Sequence, residues 1–358
     1  MKINKRTSHF LDLSRAASAF LVLIGHIHMV LFVDIEKSKL FSVGSFFNFI
    51  SSYAHQAVIV FFVLSGFLVG RSAINSISEN SEKKLKHYFL DRITRIYVVL
   101  IPVLFFTLAV DMVSLGFDST ASGAIEARST LPVFIGNLFL LQDIFSPRFG
   151  SNGPLWSLAY EFWYYALFPI CLLIFRKPYF VRSKLFYLSL FFLLIVVLPM
   201  GVLRGFLFWL AGVSILWFDS AICKNTSLVG ALFLTVLITS GVDLVSFKFS
   251  GFAFDLAISV SFALLINSLL YSSIEPEGRS LEVCRWFSAF SFSLYVTHFP
   301  LLIALGAVFG KSDIDSLRGG AVVLIALSLC YSIAWFFYLL TERNTNFVRL
   351  FLYKKIFR

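Results

Sequence analysis

The sequence is poor in charge. Asp, Glu, Lys and Arg make up 14% of its 358 residues, where a soluble globular domain carries about a quarter. With 58% hydrophobic residues and a mean hydropathy of +0.85, this shortfall excludes a water-soluble enzyme built around one core. The same apolar content excludes disorder. Cysteine is scarce as well. Cys171, Cys223, Cys284 and Cys330 are the four, none spaced as C-x-x-C, so neither a disulfide framework nor a zinc site is expected. There is no repeat period, no low-complexity run and no sign of a cleavable signal peptide. Residues 1–10 run into an apolar stretch too long for a signal h-region and lacking a small-residue cleavage site. Acidic residues are the rarer sign, twenty against thirty Lys plus Arg, for a net charge of +10. In a soluble chain that excess would suggest nucleic acid. In an apolar one, basic residues gather in cytoplasmic loops, and no nucleic-acid partner is expected.

What is present is long apolar stretches. About 20 such residues cross a bilayer, and ten stretches qualify: 11–33, 47–70, 96–115, 156–175, 185–200, 203–218, 227–247, 251–271, 287–309 and 320–341. The fifth and sixth are short and closely joined. Residues 131–145 are broken by Gly136, Asn137, Gln142 and Asp143 and predict an interfacial or re-entrant piece. With the N-terminus inside, twenty-one Lys and Arg fall in inside segments. Eight fall outside: Lys37, Lys39, Arg128, Arg148, Arg204, Lys248, Lys311 and Arg318. The expectation is an all-α, polytopic transmembrane bundle of about ten spans, one domain over 1–358, with both termini cytoplasmic.

Ionisable side chains inside a bilayer cost about 2.5–3.5 kcal/mol each on insertion scales, so they persist where they pair, line a wet cavity or work. Arg15, His26, His28, His55, Asp111, Glu161, Asp255 and His298 are such residues. Asp111 and Asp255 lie near span ends, where exposure at the interface is expected. Arg15 and His26 are eleven residues apart, which puts them on one helix face about 16 Å apart along the axis. His26, Glu161 and His298 fall at similar depth and could share one cavity. A carboxylate beside a histidine would raise its basicity and fix its tautomer; a structural ion pair between helices is the competing reading. Ser65-Gly66 in FFVLSGFL (61–68) ends the second span, followed by Arg71. The small pair admits either a ligand or a neighbouring helix. Arg92 and Arg95, one turn apart in DRITR, form either a phosphate fork or a positive-inside anchor.

These residues together resemble the acyltransferase 3 family of bacterial integral-membrane O-acyltransferases. RAASAFLVLIGH, from Arg15 to His26, is similar to its R-x10-H element, and FFVLSGFL to its second-span motif. Arg92-Ile-Thr-Arg95 is similar to its RxxR element. GPLWSLAYEFWYYALFP (153–169) resembles its Trp-Ser-Leu-x-x-Glu element, with Trp156, Ser157 and Glu161 in place. FSLYVTHFP (292–300) resembles its Leu-Tyr-x-x-His-x-Pro element, with Tyr295, His298 and Pro300. Glu342 fits the family ending, but Asn344 stands where proline often follows, which weakens a role for that turn.

The resemblance implies transfer of an acyl group, most often acetyl, from cytoplasmic acyl-CoA to a hydroxyl of a surface glycan at the outer face of the bacterial inner membrane. Peptidoglycan, capsule, lipopolysaccharide and an antibiotic are candidate acceptors, and a succinyl or longer acyl group stays open beside acetyl. Arg92, Arg95 and Arg71 would hold the coenzyme's phosphates, with Ser65 nearby and Arg15 lining the throat. His26 would act as base or acyl carrier, aided by Glu161 or His298. Trp156, Tyr160 and Tyr295 would face the acceptor, and no metal is implied. The SGNH-like domain of longer members is not expected here, which leaves room for a separate periplasmic partner. The alternative is a glycan or small-acid transporter or flippase using the same buried charges.

Overall fold

The structure is a computed structural model describing residues 3–33, 43–78, 82–116, 122–175, 181–241, 251–272 and 280–356. Lys37, Lys39 and Lys248 of the outside set lie outside the described residues, as do Lys2, Arg176, Lys177, Arg279 and Arg358, which count among the twenty-one inside, and residues 242–247 of the expected seventh span. The described residues form α1 (Lys5–Leu31), α2 (Val43–Ser51), α3 (Ala54–Ser78), α4 (Glu82–Ser114), α5 (Ser122–Arg128), α6 (Leu131–Leu138), α7 (Leu155–Phe175), α8 (Val181–Val197), α9 (Met200–Ser214), α10 (Thr226–Gly241), α11 (Gly251–Leu270), α12 (Ser280–Ala289), α13 (Ser291–Phe309), α14 (Leu317–Leu340) and α15 (Thr345–Ile356). Two isolated bridges are the only extended pairings among them.

Eight described helical stretches are long and apolar enough to cross a membrane, and two shorter apolar helices, Lys184–Val197 and Thr226–Ser240, fall where the expected fifth and seventh spans lie. Pro199 stands at the N-terminal boundary of α9 and separates it from α8, since proline has no N–H to continue a helix. The 131–145 piece is the eight-residue α6 followed by turns. At about 12 Å it is too short to span.

The chain divides into two compact units. One comprises Met1–Leu11, Ile59–Ile93 and Ser157–Gly278; the other comprises Asp12–Val58, Thr94–Trp156 and Arg279–Arg358. In the first unit the hydrophobic core gathers Leu64 and Phe67 from α3 with Phe262 and Ile266 from α11. The backbones of α3 and α9 meet without side chains between them. A Cβ on Gly66 would lie 1.9 Å from the Trp209 carbonyl oxygen, and one on Gly212 would lie 2.0 Å from that of Val63. Gly66 and Gly70 have the small-xxx-small spacing that lets membrane helices approach closely. Gly66→Ala should therefore destabilise the protein by about 1–3 kcal/mol, the range for overpacking. Gly230→Ala, whose Cβ would sit 3.9 Å from Leu265, should not. Thermal unfolding in detergent compares the two; equal midpoints would remove the close-crossing argument.

In the second unit α13 and α14 pack as a hairpin. Its turn contains Gly310 at φ +63°, a left-handed conformation that favours glycine. Ser316 then caps α14, its hydroxyl accepting the Gly319 N–H at 2.9 Å. The end of α1 is tied to this turn by the Ser312 N–H donating to the Leu31 carbonyl at 2.9 Å and the Val33 N–H donating to that of Ser312 at 3.2 Å. Gly25 lets α1 approach the start of α3, since a Cβ there would meet Ala54 at 2.4 Å. These contacts place α1 beside α13, and each carries a histidine.

Candidate functional site

His26 of α1 and His298 of α13 meet in the second unit. Nδ1 of His26 lies 2.7 Å from Nε2 of His298, and the rings stack at 5.0 Å with 11° between planes. His298 is 1% exposed, and its Nδ1 lies 2.9 Å from the Leu294 carbonyl. A carbonyl only accepts, and a neutral imidazole carries one N–H and one lone pair. Nδ1 of His298 therefore donates to Leu294, and its Nε2 accepts. Nδ1 of His26 must then be the donor between the rings. The lone pair left over in this chain is on Nε2 of His26. Its ring is half-buried and stands nearly perpendicular to Phe299, with centroids 5.0 Å apart at 82°. The pair thus has the orientation and tautomer control that a general base requires.

A charged cluster lies at the other end of the same helices. Arg15 pairs with Asp12 one turn back at 3.1 Å, and Asp12 also accepts from Ser288 of α12 at 3.3 Å. Glu342, just past α14, accepts the Ser293 hydroxyl at 2.8 Å and its N–H at 3.3 Å. It thereby neutralises the positive end of α13. Arg95 of α4 and Arg15 both lie within electrostatic range of Glu342. Five elements so converge on one patch of opposed charges. From it, α1 leads eleven residues to His26 and α13 leads five residues to His298. Sequence reasoning discounted Glu342 because the residues after it depart from the family ending. The signal that could have identified it was its place among the few acidic residues at a span end.

The turns between α6 and α7 are held from inside. Asp111 is 1% exposed and accepts the Ser151 hydroxyl at 2.5 Å and its N–H at 2.8 Å, so the expectation of interfacial exposure is corrected. Position along a helix gave the depth of Asp111 but not its partner forty residues away. Asn137 accepts the Phe149 N–H at 3.0 Å and donates to the Pro147 carbonyl at 2.8 Å. Asn152 donates to Thr107 at 3.0 Å and to the Val296 carbonyl at 2.9 Å. Tyr295 donates to the Pro154 carbonyl at 3.3 Å, and Trp156 follows, half-buried.

The remaining predicted residues belong to the first unit, where Glu161 and Tyr160 are half-buried on α7. Ser65 accepts the Trp209 indole N–H at 3.2 Å and lies 3.4 Å from the Tyr165 hydroxyl, so its immediate neighbours here are packing partners. Arg71 is half-buried on α3. Arg92 and Arg95 do not share surroundings. Arg92 lies over the Tyr88 ring at 5.8 Å, whereas Arg95 lies within electrostatic range of Glu342 in the second unit. Among the described residues no group of three or more His, Cys, Asp or Glu could hold a metal.

An all-helical membrane protein with paired histidines and, along the same helices, a patch of opposed charges is the class that these features define. The chain belongs to the acyltransferase 3 family, described as an acyltransferase domain, which matches residues 8–341. It is also 34% identical over 143 residues to an uncharacterized protein of Haemophilus influenzae, an alignment covering 38% of this chain and 57% of that one. The chain thus spans little more than half the length of that relative. No solved structure matches.

Proposed function

We propose that the protein transfers an acyl group, most simply acetyl, from cytoplasmic acyl-CoA to a hydroxyl of an exported or surface glycan, at the outer face of the bacterial inner membrane. The observation that carries this reading is the His26–His298 pair with its lone pair on Nε2 of His26, eleven residues along α1 from Arg15. Both termini are cytoplasmic in this reading, as the excess of inside Lys and Arg requires. The Arg15–Arg95–Glu342 end then faces the donor. About 16 Å separates Arg15 from His26 along the axis, comparable with an extended pantetheine arm.

Nε2 of His26 takes the proton of the acceptor hydroxyl as its oxygen attacks the thioester carbonyl. The C–O bond forms, the C–S bond breaks, and the coenzyme A thiolate leaves and recovers the proton. His298 holds His26 in the required tautomer. Arg15 and Arg95 bind the anionic part of the donor, and by their sequence motifs Arg92, Arg71 and Ser65 are further candidates for donor binding. Trp156 and Tyr295 contribute to the acceptor side, and by their sequence motif Glu161 and Tyr160 are further candidates, for proton transfer and for the acceptor respectively. A separate periplasmic protein that completes the transfer is compatible with this scheme.

The test is acetyl-CoA binding to the purified protein in detergent. A charge-assisted hydrogen bond contributes about 1.5–3 kcal/mol, so Arg92→Ala with Arg95→Ala should weaken binding about tenfold or more, while His26→Ala retains it. Unchanged binding in the double variant would reduce the two arginines to membrane anchors. Absence of binding by the folded wild type would overturn the donor assignment and favour a transporter.

A further inference from the structure

The turns between α6 and α7 carry more order and more strain than a connection needs. Leu140 and Asp143 hold φ of +57° and +59°, a region that costs non-glycine residues energy and persists where surrounding structure over-determines it. Asp111, Asn137 and Asn152, all essentially buried, supply that surrounding structure through the bonds described above. The strained Asp143 is gripped by Arg148. Nε of Arg148 reaches both carboxylate oxygens at 3.0 and 2.9 Å, and Nη2 reaches one at 2.6 Å. This use of Nε and Nη2 leaves Nη1 over. Nη1 lies 3.9 Å from where a Cβ on Gly153 would be, and the Phe299 ring lies 3.5 Å from that same point. Phe299 is the ring that stands perpendicular to His26. A guanidinium N–H, an aromatic ring and the reactive imidazole thus follow one another across a glycine with no side chain.

We propose that Arg148 and Phe299, converging over Gly153, form the seat of a neutral sugar ring whose hydroxyl is presented to His26. The assignment rests on the acyl-transfer reading for the identity of the reaction and names the acceptor class for it. Nη1 donates to a ring hydroxyl, and the Phe299 ring packs against the sugar's apolar C–H face. Asp143 already neutralises the guanidinium, so an anionic sugar gains nothing from Arg148 and meets a carboxylate. Asp111, Asn137 and Asn152 are positioning residues, since they hold the turns that carry Arg148.

Saturation-transfer NMR on the full chain in detergent reads this seat directly, with methyl glucopyranoside and methyl glucuronide as probes. Acetyl-CoA titration of the same samples reads the donor site separately. The wild type should bind the neutral glycoside more strongly than the glucuronide. Arg148→Ala should weaken glucoside saturation about fivefold or more with acetyl-CoA affinity unchanged. Gly153→Leu leaves the Arg148–Asp143 pair intact and fills the gap, so it should do the same without loosening the turns. Equal glucoside signals in wild type and both variants, or preference for the glucuronide, would overturn the seat even if donor binding holds. Loss of acetyl-CoA binding with glucoside binding retained would instead remove the donor reading and leave the seat standing.

Discussion

Replacing His26 by alanine is expected to lower acyl transfer by about 10²–10⁴-fold, the contribution of a positioned general base, while the protein still inserts and binds acetyl-CoA. His26 supplies the lone pair left at the end of the Leu294–His298–His26 chain, and no other atom of that chain can substitute. Nδ1 of His298 is committed to Leu294 and its Nε2 to His26. Coenzyme A release in the presence of an acceptor measures the effect. Turnover at the wild-type rate by His26→Ala would remove the imidazole from the reaction altogether.

His298 is expected to matter nearly as much, but through His26. His298→Ala leaves the Nδ1–H of His26 without its acceptor and opens a void beside the ring, so the imidazole is free to turn or to adopt the other tautomer. A fall of about 10²-fold in kcat is expected, at the lower end of the general-base range, with the KM for acetyl-CoA little changed. His298→Gln should recover part of the loss, because an amide oxygen can accept that proton. A variant that was merely destabilised would lose folded protein and would not distinguish Gln from Ala. Equal kcat in the two variants would reduce His298 to a packing residue.

The helices and the similar depth of His26 and His298 could be read from residue spacing, because apolar length and position along a helix both follow from a fixed rise per residue; that the two rings meet each other could not. Partners contributed by turns could not. Asp111 looked exposed because its depth was the only information available, and Ser151 reaches it from a connection whose path depends on Asn137 and Asn152. Glu342 was discounted on the residues that follow it, yet its role in the structure is decided by Ser293 at the start of another helix. The RxxR spacing suggested one fork. Residues three apart on a helix stay within about 60° of one another, yet Arg92 lies over a tyrosine ring and Arg95 within electrostatic range of a carboxylate, which the spacing did not show. Ser65-Gly66 was open between ligand and helix packing, and the approach of Gly66 to Trp209 shows that packing alone already requires the glycine.

Arg15 and His26 sit on one unbroken helix, and this couples distance to phase. Inserting one residue between them would lengthen the separation by about 1.5 Å but swing His26 about 100° around the axis, away from His298. A seven-residue insertion would nearly restore the phase, at about 10 Å of extra length. The reach from the arginine to the imidazole therefore cannot be tuned in small steps through α1. Adjustment to a longer or shorter acyl group has to come from side-chain size around the histidines, and the ruler itself stays fixed.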